Sequence, residues 1–132
     1  MASDWEWART VDPADALPLH AQLERSIRVA IASRRLKAGA QLPTVRQLAV
    51  ELRINANTVA RVYALLEREG VLGTRRGVGT FVLEPDATHR NLEARAAELR
   101  AIATRAVAEA SARGFSLSDL RRELQAISKG NA

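Results

Sequence analysis

Asn55-Ala56-Asn57-Thr58, with Arg61 one turn further on, is a dense run of hydrogen-bonding side chains at the expected start of a helix. Asparagine can bond adenine bidentately, threonine can contact thymine, and arginine can grip guanine or phosphate. A helix entering a major groove presents its N-terminal residues to the base edges. Asn55 has a second reading, because asparagine is a preferred N-cap. For Asn57 and Arg61 the alternative is plain solvent exposure. Arg46 falls in the first turn of another expected helix, where the helix dipole disfavours a cation and an external phosphate would offset it. Arg75 and Arg76 lie on a glycine-flanked loop, an arm narrow enough to reach phosphate or the minor groove.

Other chemistries find little support. Gly77-Val78-Gly79 lacks the third glycine of a dinucleotide fingerprint and precedes a strand rather than a helix. The two histidines, His20 and His89, are far apart in the chain. No metal-ligand spacing and no nucleophile–base set appears. Cysteine is absent, which excludes disulfides, thiol redox sensing and cysteine-ligated metals. The reading is therefore of a protein that is not an enzyme and needs no metal or cofactor. No apolar run is long enough to span a bilayer, and the start, Met1 to Trp7, lacks the basic and apolar regions of a signal peptide. A cytoplasmic protein without a membrane partner is expected.

Charge concentrates in the middle of the chain. Residues 1–17 hold one Arg against four acids, residues 18–83 eleven Lys/Arg against four acids, and residues 84–132 eight against seven. A basic segment between acidic and near-neutral ones reads as a polyanion-binding unit. The 132 residues suit one domain with a short appendage. A separate ligand-binding domain would need roughly another 100.

The elements that must position these side chains follow from periodicity and punctuation. Residues 1–17 form an N-terminal extension, and the alternation Trp5-Glu6-Trp7-Ala8-Arg9 suggests a short strand with one covered face. Pro18 suits the first position of a helix over 19–35, with Leu19, Leu23, Ile27, Ala30 and Ile31 on one stripe. Thr44-Val-Arg-Gln47 has the spacing of a capping box opening a short second helix. A third begins at Asn55, or alternatively Asn57, and ends at Gly70. Two short helices joined by a tight turn form a helix-turn-helix. Val71-Leu72 and residues 80–83 read as hairpin strands, with the loop over 73–79. A long alanine-rich helix over 88–113 carries Leu92, Ala96, Leu99, Ala103, Ala106 and Ala110 at coiled-coil spacing. Gly114 ends it, and Ser116-Leu-Ser-Asp119 opens a final helix lined by Leu117, Leu120, Leu124 and Ile127. The fold class is mostly α with a small β-hairpin wing: a winged helix-turn-helix over 18–85, then a two-helix region over 86–132. The long seam either packs on its own domain or pairs with a second copy, and the symmetric reading of two half-sites favours the pair.

These residues also form family motifs. Leu36-Lys-Ala-Gly39-Ala-Gln-Leu42-Pro43-Thr44-Val-Arg46-Gln-Leu48-Ala49 resembles the opening signature of GntR-family regulators. Asn55-Ala-Asn57-Thr58-Val59-Ala-Arg61-Val62-Tyr63 through Gly70 continues it, and Gly77-Val-Gly79-Thr80-Phe81-Val82 is similar to the family's wing ending. Pro18-Leu19-His20-Ala-Gln22 resembles the start of its first helix, with His20 where an aromatic residue is commoner. The resemblance implies a DNA-binding winged helix, usually dimeric and often a repressor. By position it assigns DNA contact, or close neighbourhood to it, to Arg46, Asn55, Asn57, Thr58, Arg61, Arg76 and Gly77. Ala56 departs from the pattern, since many members carry arginine there. Asn-x-Asn-Thr-Val and the short helical tail are similar to the YtrA subgroup, whose tail is thought to build the dimer. Leu92, Ala96, Leu99, Ala103 and Ala106 would line that contact. The expected partners are double-stranded operator DNA and a second copy, with a small-molecule effector left open. A sequence-independent nucleic-acid binder and a winged helix that binds only proteins remain as rivals.

Overall fold

The computed structural model describes residues 2–84 and 92–129, and these form a 3-10 segment, three α-helices, an antiparallel hairpin and two further α-helices. The chain falls into two compact units, residues 1–84 and 85–131.

Helix α1 (Leu19–Ala32) follows Pro18, which serves as the N-cap rather than the first helical residue. Its apolar stripe buries Leu23, Ile27 and Ala30. Two polar residues share that face and are satisfied by the segment before the helix. The Gln22 amide donates to the carbonyls of Asp12 (2.9 Å) and Leu17 (2.6 Å) and accepts from the Asp12 N–H (2.7 Å). Ser26 shares a 2.8 Å hydrogen bond with Thr10. These bonds pin the N-terminal extension to α1.

That extension corrects the sequence expectation. Residues Ala2–Thr10 form a 3-10 segment kinked at Trp5, not a strand. Trp7 and its neighbour Ala8 are both buried, which a strand with only one covered face cannot do because successive side chains leave opposite faces. Helix α1 also stops earlier than 35. Arg34 adopts a left-handed conformation with φ 65°, and the Leu36 N–H bonds back to the Ala30 carbonyl at 3.0 Å. This turn returns Leu36 to the core.

Helix α2 (Val45–Leu52) opens with the expected capping box. The Thr44 hydroxyl accepts from the Gln47 N–H at 3.0 Å, and the Gln47 side chain accepts from the Thr44 N–H at 2.9 Å. Leu48 and Ala49 are its buried residues, and Arg53, at φ 57°, ends it. Helix α3 (Ala56–Arg68) is capped by Asn55, not Asn57, and buries Val59, Val62, Tyr63 and Leu66. It packs against α1, α2 and the hairpin.

Strands β1 (Leu72–Arg75) and β2 (Gly79–Val82) pair from Leu72↔Val82 to Arg75↔Gly79. The pairing runs further than the sequence suggested, so Arg75 belongs to the ladder and only residues 76–78 form the turn. Gly73 looks like a loop residue in sequence but sits inside β1. A Cβ there would lie 2.7 Å from Leu83 Cδ2, so the glycine makes room for a neighbour rather than for a bend.

In the second unit, α4 (Leu92–Ala112) and α5 (Leu117–Ser128) pack against each other. Gly114, at φ 87°, turns the chain between them. Ser116 and Asp119 form the second capping box. The expected helix start near Thr88, His89 and the side chain of Leu92 lie outside the described residues. Among the described residues no helix is long and apolar enough to cross a membrane.

Candidate nucleic-acid interface

The buried positions of α3 fix what its other side offers. With Val59, Val62, Tyr63 and Leu66 inside, Asn57, Arg61, Ala64 and Arg68 recur at four-three-four spacing along the exposed side. Asn55 is spent on the helix, its side-chain oxygen accepting the Asn57 N–H at 2.7 Å, so only its amide N–H groups are free to donate outward. The Asn57 side chain is exposed and unbonded among the described residues, while Thr58 is half-buried at the edge of the face. Arg68 was missed in the sequence. Its position eleven residues after Asn57, three helical turns, was the signal that could have found it.

Arg46 is exposed in the first turn of α2. The start of α2 is held against α3 by the Tyr63 hydroxyl, which donates to the Pro43 carbonyl at 2.7 Å in a buried bond. Burial pushes the Tyr63 phenol well above its ordinary value, so it remains a donor at physiological pH.

The wing presents two exposed arginines in different settings. Arg76 is exposed in the turn next to Gly77, whose φ of 77° lies in the left-handed region. Arg75 places its guanidinium 5.0 Å from the centre of the Phe81 ring, a cation–π contact within the hairpin. The placement of Arg75 in the loop is corrected accordingly: it is an exposed residue at the end of β1. The hairpin is tied to α3 by the Thr74 hydroxyl, which donates to Glu67 at 2.6 Å.

Charge pairing separates structural from available cations. Arg28 is held by Glu69 and Glu24, and Glu69 first among them raises the guanidinium above its usual value. Among the described residues Arg46, Arg61, Arg68 and Arg76 enter no ion pair. His20, an exposed residue of α1, lines a cleft of about 290 Å³ with Glu24, Arg61 and Arg68. Among the described residues no group of three or more His, Asp or Glu is placed to hold a metal. On α4, Ala96, Leu99 and Ala103 are exposed and Ala106 is half-buried.

Residues 19–82 match the gntR family of bacterial regulatory proteins. The chain is 38% identical over 119 residues to the HTH-type transcriptional regulator Rv1152 of Mycobacterium tuberculosis, covering 90% of this chain and 92% of that protein. It is 38% identical over 74 residues to the HTH-type transcriptional repressor YtrA of Bacillus subtilis, covering 56% and 57%; the chain thus spans about half the length of that curated relative. Among solved structures it is similar to YtrA from Sulfolobus acidocaldarius, a GntR-family transcription factor. That match has 30% identity and a TM-score of 0.56 and covers 74% of this chain and 95% of the other.

Proposed function

The chain belongs to the gntR family of bacterial regulatory proteins, and from that premise we propose that it is a sequence-specific, homodimeric transcription repressor acting on a palindromic operator. Asn57 and Arg61 read the major groove from α3. Arg46 holds phosphate from the start of α2, and Arg76 with Gly77 reaches the minor groove or its backbone from the wing. Asn55 and Thr58 shape the helix start and contribute contacts from its edge. The observation that carries this reading is that Arg46, Asn57, Arg61 and Arg76 are exposed and unpaired while the elements bearing them are tied together by Tyr63 and Thr74. Residues 18–85 are the DNA-binding domain, and the two helices of 86–132 join the copies through a face including Ala96, Leu99, Ala103 and Ala106. Repression is supported by the relative YtrA, which is named a repressor.

Gel shifts with the protein's own promoter region against random duplex, at fixed salt, test the proposal. Specific binding at least ~10³-fold tighter is expected. Equal affinity for both duplexes, with a steep salt dependence, would instead make it a sequence-independent binder. Sedimentation of the operator complex should give two protein chains per site.

A further inference from the structure

We propose that Gln41 is a positioning residue for the wing, holding the 76–78 turn in the shape in which Arg76 meets DNA; the inference rests on the DNA-binding reading above. Gln41 lies between α1 and α2 in a strap of residues 39–43 that runs beside β2. The Gly39 N–H donates to the Val82 carbonyl at 2.8 Å, the Val82 N–H to Ala40 at 2.9 Å, and the Leu42 N–H to Thr80 at 2.8 Å. Gln41 stands opposite Phe81 as an isolated bridge. Here the Gln41 side chain takes over from the backbone ladder: its Nε2 donates to the Val78 carbonyl at 3.0 Å, inside the turn.

Gly79 is shaped to admit that contact. A Cβ at this position would lie 2.4 Å from Gln41 Nε2, and the residue's φ is 147°. At its far end the strap carries Pro43, whose carbonyl accepts from Tyr63 of α3, and leads directly into Thr44, which caps α2. One short segment therefore bonds to the wing and to α3 and leads into α2. The turn has one internal backbone bond, from the Val78 N–H to the Arg75 carbonyl at 2.9 Å. Gln41 supplies a second anchor from outside. Without it Arg76 samples more orientations, and binding must restrict them at a cost in affinity.

The test uses the full chain with Gln41→Ala, Gln41→Glu, Arg76→Ala and the Gln41→Ala/Arg76→Ala double variant. Gln41→Glu keeps the length of the side chain but removes the donor. In DNA-free protein, backbone order parameters at residues 76–79 should fall in both Gln41 variants while the melting temperature and helicity stay at the wild-type level. Operator affinity of Gln41→Ala should fall by about 2- to 10-fold, the value of one hydrogen bond. The double variant should bind no worse than Arg76→Ala alone. Unchanged order at 76–79 overturns the proposal. So do losses that multiply in the double variant, because Gln41 then acts on DNA independently of Arg76. A wild-type protein with no preference for its promoter, combined with loosened Gln41 variants, would refute the operator reading and with it the DNA role of the latch, while leaving the latch itself established.

Discussion

The two units of this chain contain similar kinds of residues and use them in opposite ways. Among the described residues, all fifteen buried hydrophobic residues lie in residues 1–84, so that unit holds a core of its own. In the second unit no described side chain is buried. Its large apolar groups face outward instead: Leu99 is 67% exposed, Phe115 58%, Leu117 54% and Leu124 56%. Exposed apolar groups mark an interaction site where they join into one patch. The contrast separates a part with a buried core from a part whose described side chains stay exposed, and it is the reason the proposed dimer is assigned to α4 and α5.

The widest gap between the units should appear in leucine truncation. Leu66 has no exposed surface, and Leu66→Ala should cost about 2–5 kcal/mol in urea unfolding at any protein concentration. Leu124→Ala should cost less than about 0.5 kcal/mol in dilute protein. At high concentration its cost should grow, because burial in a dimer makes stability follow mass action. A Leu124→Ala cost that is the same at both concentrations would break the comparison and leave the exposed face without a second copy to cover it.

Tyr63 gives the next largest effect. Tyr63→Phe strands the buried Pro43 carbonyl and should lower stability by about 1–3 kcal/mol. The titration carries a sign as well. The folded phenol is held above its ordinary value by burial, so the unfolded chain loses its proton first as pH rises. The contribution of Tyr63 is therefore fully present below about pH 10 and is lost above it, by ~1.4 kcal/mol per pH unit. Subtracting the Tyr63→Phe curve from the wild-type curve isolates this slope; a flat difference above pH 10 would show that the phenol is not buried.

What the sequence made legible was mostly local. Thr44 with Gln47 and Ser116 with Asp119 satisfy caps within three residues, so the boxes could be read from spacing and are present. The outward side of α3 followed from its buried residues in the same way. Trp5 and Trp7 misled because a two-residue repeat imitates a strand, whereas Ala8 shows the segment to be helical. Arg75 misled because Gly73 imitates a loop. The bonds that orient the site, from Tyr63 to Pro43 and from Gln41 to Val78, span 20 and 37 residues. Contacts of that separation leave no periodic trace in a single sequence.

The paired capping boxes allow a finer comparison. Thr44→Ala should cost about 1 kcal/mol of global stability, because α2 unfolds with the core it helps to enclose. Ser116→Ala should release α5 locally, raising amide exchange at residues 117–120 before the rest of the chain unfolds. Loss of both helices in one transition in each variant would argue that the two units are cooperative.

The smallest predicted effect separates the boxes by charge. Backbone and side-chain hydrogen bonds from Ser116, with Arg122 adding to them, hold the half-exposed Asp119 carboxyl below its ordinary value. A depressed folded value means that the stabilisation is present above the usual carboxylate range and is lost as pH falls through the folded value. Acid should thus fray the start of α5, seen as shifting amide resonances at 117–120, and Asp119→Asn should remove the step. Gln47 fills the same position in α2 with a neutral amide, so the Thr44 box should show no such step over the same range. An acid step at Gln47 would have to come from elsewhere in the first unit, and the two boxes would then no longer differ by the one charge that distinguishes them.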